Sequence, residues 1–123
     1  AIAGTLTANG FRSYSYQSLN ASAHGSGGGG SGGGIYVACR VFGGSGVLSA
    51  RGGDSWRGGG CGGGGRIAVW RTRDDFTGSL DVSGGWQNAA GGYNTYVPSE
   101  IPGAAGTIYW GFIPPPGTRM ILR

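Results

Sequence analysis

The chain has 123 residues and a net charge of +4, with nine arginines, no lysine and five acidic residues. That length holds one small domain or a piece of a larger protein. The arginines form no basic run, which argues against a nucleic-acid partner, and no apolar stretch reaches transmembrane length.

Glycine supplies 31 residues, several times its average share, so disorder is the first expectation to test. The 38% apolar content and the period-two alternation of several segments argue for a folded chain instead. Helix formers are scarce and no window carries a 3.6-residue period, so the fold class is all-β. The opening Ala1-Ile2, without Met or a signal peptide, suggests a processed protein or a fragment.

In chain order, a first strand is expected over 3–9, followed by a loop over 10–34 that starts on Phe11, Tyr14 and Tyr16 and ends in glycine and serine alone. Strands 35–42 and 47–51 flank a short glycine turn. A second loop carries Asp54, Trp56 and Arg57 ahead of a glycine run interrupted by Cys61. Strand 67–72 leads through Asp74 and Asp75 to strand 79–83, and a third loop holds Trp86, Tyr93 and Tyr96. Strand 107–113 closes the repeat domain, 1–113, and residues 114–123 form a proline spacer with a strand-like tail.

Three Leu-centred strands alternate with three Ile-centred strands. Thirteen residues separate Ile35 from Leu48, and thirteen separate Ile67 from Leu80, whereas the Leu-to-Ile spacings differ. A fixed cassette with a variable loop marks a repeat fold. Stacking equivalent strands places Ile35, Ile67 and Ile108 in one ladder, Leu6, Leu48 and Leu80 in a second, and Ala8, Ala50 and Val82 in a third. Such ladders suit a β-solenoid of about three coils, in which no coil buries its own face alone. The alternative is a β-sandwich with the cassettes folded as hairpins. Alternation sets Ile35, Val37, Cys39 and Val41 on one face, with Tyr36, Ala38, Arg40 and Phe42 on the other.

The glycine runs raise a separate question. Ordering ten Gly/Ser residues costs on the order of 10–20 kcal/mol of backbone entropy. The runs therefore either stay mobile or pack closely as extended, polyproline-II-like segments joined by backbone hydrogen bonds. A phosphate loop is disfavoured, because Gly65-Arg66 lacks the Lys-Ser/Thr step and no helix follows.

No catalytic constellation stands out. Asp74 and Asp75 read as a turn pair, Asp81 aligns with Thr7 and Ser49 on a polar outer ladder, and no nucleophile sits beside a base. Neither a metal site nor a cofactor is expected, since Cys39, Cys61 and His24 lack ligand spacing. Cys39 and Cys61 are a candidate disulfide in a secreted setting, the alternative being two unpaired apolar residues. The guanidinium groups are expected to stack on aromatic rings or to pair with Asp74 and Asp75.

Segments such as Gly32-Gly33-Gly34-Ile35-Tyr36, Gly64-Gly65-Arg66-Ile67-Ala68 and Gly106-Thr107-Ile108-Tyr109 resemble a glycine-rich repeat of large secreted or surface proteins of planctomycete and verrucomicrobial bacteria. The resemblance covers about residues 3–112. It implies an extracellular or cell-surface β-helical structural region, with no active site to carry over. A weaker similarity, of composition alone, is to the glycine-rich extracellular domain of certain receptor tyrosine kinases.

Three function classes follow. The expected one is a non-enzymatic structural module that self-assembles, or abuts further repeats, through exposed strand edges. In that reading Thr118, Met120, Ile121 and Leu122 of the tail pair with a strand edge of a neighbouring subunit, the alternative being an ordinary final strand on the same domain. The alternative is a carbohydrate-binding module presenting Tyr14, Tyr16, Trp56, Trp86, Tyr93 and Tyr96 to a polysaccharide, and an enzyme is the class least favoured.

Overall fold

A computed structural model of the chain describes residues 1–13, 16–17, 24–25, 27–56, 59–88 and 102–117. Among these there is no helix. The strands are β1 (Thr5–Thr7), β2 (Tyr16–Gln17), β3 (His24–Gly25), β4 (Gly34–Gly44), β5 (Val47–Ser49), β6 (Ser55–Trp56), β7 (Arg66–Phe76), β8 (Ser79–Asp81), β9 (Gln87–Asn88) and β10 (Thr107–Phe112). The protein is all-β.

Two three-stranded parallel sheets organise the fold. The Leu strands form one in the order β1-β5-β8, and the Ile strands form the other in the order β10-β7-β4. Register follows the sequence ladders. Leu48 pairs with Leu6 on one side and Leu80 on the other, and Ile67 pairs with Ile35 and Ile108. The strands of one cassette do not pair with each other: β4 and β7 lie in one sheet, β5 and β8 in the other. A further short parallel pair joins β6 to β9, and β2 pairs with β3 in antiparallel fashion.

The two sheets share one core, built from Ile35, Phe42, Leu48, Ala50, Ile67 and Val69. The middle tier, β5 and β7, has a neighbour on each side, and its Leu48, Ile67 and Val69 are all 0% exposed; Ile35 and Phe42, on the outer strand β4, are buried as well. Leu6 occupies the equivalent of Leu48 on an outer strand and is 44% exposed, and Ile108 is 40% exposed.

The Ile strands run longer than expected. β4 extends into Gly43 and Gly44, which pair with Asp75 and Phe76, so the expected turn residues Asp74 and Asp75 belong to β7. The alternation of β4 also changes phase. Arg40 and Val41 are both exposed, and Phe42, expected opposite the core, is buried within it. Its ring packs on Phe76 with centroids 4.4 Å apart, which draws the strand end inward.

The glycine runs take the packed alternative. Residues 27–33, 59–65 and 102–106 lead into the Ile strands, and residues 8–13, 50–55 and 82–87 continue from the Leu strands. Their hydrogen bonds recur at every third residue. Gly29 N–H donates to Gly60 O and Gly32 N–H to Gly63 O, while Gly30 N–H donates to Phe11 O and Gly33 N–H to Ala8 O. The same pattern joins Gly62 to Gly53 and Gly65 to Ala50, then Gly103 to Gly85 and Gly106 to Val82. A three-residue repeat with no bonds inside a segment is the signature of polyproline-II geometry. The segments thus form two hydrogen-bonded layers, and the cost of ordering them is offset by backbone pairing rather than by core burial.

The glycines are needed because the layers approach so closely. A Cβ on Gly29 would overlap the carbonyl of Gly53, one on Gly62 that of Gly30, and one on Gly65 that of Gly33. Outward positions take other residues: Ser31, Ala104 and Ala105 are exposed.

Cys39 and Cys61 are free thiols, so the expected disulfide is not formed. Register explains this. Cys39 pairs with Arg71, ten residues beyond Cys61 along the same extended path. At roughly 3 Å per residue the two lie about 30 Å apart along the strand direction, whereas a disulfide needs Cα atoms within about 7 Å.

The proline spacer ends in a turn at Pro116 and Gly117, where Gly117 has φ of 86°. The tail residues Thr118, Met120, Ile121 and Leu122 lie outside the described residues.

Candidate functional site

The polar side chains pair mainly with one another. Arg71 Nη2 donates to Asp74 Oδ2 at 3.1 Å, and its guanidinium lies 4.5 Å from the Trp110 ring centroid. Arg73 pairs with Asp75. Both expected uses of arginine, stacking and pairing, are therefore present at the end of β7. Asp54 Oδ1 accepts from Arg51 Nη2 at 2.9 Å and from the Trp86 backbone N–H at 2.7 Å, which ties two neighbouring glycine segments together.

Thr7, Ser49 and Asp81 do align in register. They do not form a uniformly outer ladder, because Ser49 is buried and its hydroxyl donates to Asn9 Oδ1 at 2.7 Å. Asp81 turns back on its own chain, accepting the Ser83 N–H at 2.9 Å. That bond, reinforced by the Ser83 side chain and Arg51, holds the carboxyl below its usual range despite some desolvation. Cys61 Sγ lies 3.2 Å from the Ser55 hydroxyl, a local polar contact. These contacts place no activated nucleophile beside a base, and no group of three His, Cys, Asp or Glu among the described residues is placed to hold a metal.

Aromatic residues give a different picture. Of the expected loop platform, Tyr14, Tyr93 and Tyr96 lie outside the described residues. Tyr16 falls in β2 and Trp56 in β6. Trp86 is described and is exposed.

A cluster that sequence reasoning did not single out lies on the outer face of the Ile-strand sheet. Each ladder isoleucine is followed by an outward residue, and register sets those residues in one row: Tyr36, Ala68 and Tyr109. Two tyrosines thus flank a small floor. Trp70 stands two residues further along β7, between Ala38 and Gly111. Its ring lies 5.6 Å from that of Tyr109, tilted by 48°. Gly111 makes this possible, since a Cβ there would overlap the Trp70 indole. Arg66 borders the row on the other side. Together these residues line an open groove of about 580 Å³. The signal was in the sequence, in the identity of the residue after each ladder isoleucine.

A second groove, of about 320 Å³, lies along Asn9, Gly10, Arg51 and Gly53. Its Arg51 and Asp54 are already paired with each other. No helix among the described residues is long and apolar enough to cross a membrane. Comparison with protein-family models, curated proteins and solved structures finds no match to this chain.

Proposed function

We propose that the chain is a non-enzymatic structural module, a three-coil solenoid whose tiers continue into another copy or into further repeats. One observation carries this reading. In each ladder the middle residue is sealed and one outer residue is open, Leu48 against Leu6 and Ile67 against Ile108, while Ile35 on β4 stays buried and Leu80 on β8 half-buried. The open positions lie at opposite ends of the stack, Leu6 on β1 and Ile108, Trp110 and Phe112 on β10.

Each end also presents the outer side of a parallel strand, a template for one more strand. Because the two ends differ, one copy meets the next head to tail, and such contacts give open filaments when the rotation does not close. Burying Leu6, Ile108 and Trp110 contributes about 1.5–3 kcal/mol each. An extracellular or cell-surface setting rests on the repeat resemblance.

Light scattering over a concentration series tests the reading. The mass is expected to rise with concentration, and Ile108→Lys is expected to return the protein to a folded monomer. A wild-type protein that stays monomeric throughout contradicts it.

A further inference from the structure

The groove on the outer face of the Ile-strand sheet has features that stacking does not use. Tyr36 is 70% exposed and Tyr109 46% exposed, although each is held by a strand paired to β7. Those two strands lie two spacings apart, about 9.6 Å. Only the Ala68 methyl stands between the tyrosines. The slot accepts one saturated ring with its C–H faces against the aromatic walls, and Trp70 offers a further stacking surface one step along.

Charge narrows the ligand. Arg66 lines the slot and Arg40 lies further along the same face of β4. Neither side chain has an ion pair among the described residues. No acidic residue occurs on β4, on β10 or on β7 before Asp74, and Asp74 and Asp75 are already paired with Arg71 and Arg73. The face is thus aromatic and cationic, without a compensating carboxylate among the described residues. A planar guanidinium beside a ring slot matches a planar carboxylate borne on a sugar ring, through paired N–H donors.

The geometry points to a binding site for an acidic polysaccharide built of uronate residues, with Tyr36, Tyr109 and Trp70 stacking on sugar rings and Arg66 holding a carboxylate. A single-stranded nucleic acid also stacks on aromatic rings, but it carries a phosphate at every nucleotide and calls for a continuous basic track, which two separated arginines do not make. The slot shares its edge strands β4 and β10 with the tier ends but opens on the outer face of the sheet, so binding does not require assembly.

Calorimetric titration with oligogalacturonate, a neutral cello-oligosaccharide, a sulfated dextran oligosaccharide and oligo(dT) tests this. Oligogalacturonate is expected to bind at least about tenfold more tightly than the other three, and Tyr36→Ala and Arg66→Gln are each expected to weaken it by about tenfold or more. Trp86→Ala, in the loop region, is expected to leave binding unchanged, and an unchanged melting temperature in each variant shows that the fold is retained. The proposal is overturned by no binding of oligogalacturonate, by equal or tighter binding of any other probe, or by folded Tyr36→Ala and Arg66→Gln proteins that bind as the wild type does.

Discussion

The Cα of Gly62 lies against the carbonyl of Gly30 so closely that a methyl group added there would overlap the oxygen. Gly60, two residues away in the same segment, has nothing within 4 Å of the equivalent position. The pair therefore separates glycines that the packing requires from those that it only tolerates. Gly62→Ala is expected to destabilise the fold by at least about 1–3 kcal/mol, the usual cost of overpacking. Gly60→Ala is expected to be neutral or to stabilise by up to about 1 kcal/mol, through the unfolded state. Urea denaturation of the two variants checks the contrast, and equal effects would contradict the two-layer packing.

Tier position makes a second contrast between residues of one type. Leu48→Ala in the sealed tier is expected to cost about 2–5 kcal/mol. Leu6→Ala removes a side chain that is already 44% exposed and is expected to cost clearly less in dilute solution. Denaturation midpoints at low protein concentration measure both. At higher concentration, Leu6→Ala is expected to weaken association.

Much of the architecture was legible because identical residues recur at fixed spacing. Ile35, Ile67 and Ile108 fall in one register, as do Leu6, Leu48 and Leu80. Alternation alone could not locate Phe42, because the phase change at Arg40 and Val41 depends on ring packing against Phe76 from the neighbouring strand. The cysteine pairing was equally out of reach, since chain separation says nothing about offset along a parallel ladder. The aromatic groove was missed for a simpler reason. Tyr36, Trp70 and Tyr109 are far apart along the chain and become one surface only when three strands stand side by side.

The thiols give a third prediction. Two free thiols per chain are expected in a denaturing thiol assay, and reductant is expected to leave the melting temperature unchanged. A protein without titratable thiols whose melting temperature falls on reduction would contradict the observed register.

Acid stability follows from Asp81. Its carboxyl has an ordinary value of 3.8 in the unfolded chain and a lower one when folded, chiefly because it accepts the Ser83 N–H. The stabilisation is therefore present above the unfolded value and is lost as pH falls through the folded one. Asp81→Asn is expected to flatten the loss of stability between pH about 5 and about 2. Urea midpoints across that range measure it, and an unchanged acid profile would contradict the role assigned to the bond.

Fibre diffraction from concentrated, aligned protein tests the stacking account most directly. Parallel strands that continue from copy to copy place a reflection near 4.8 Å along the fibre axis, and three tiers per chain give a molecular repeat of about 14 Å. Both are expected for the wild type, and both are expected to disappear in Ile108→Lys. A wild-type protein that gives neither reflection, and remains a monodisperse monomer in the same solution, would contradict the account.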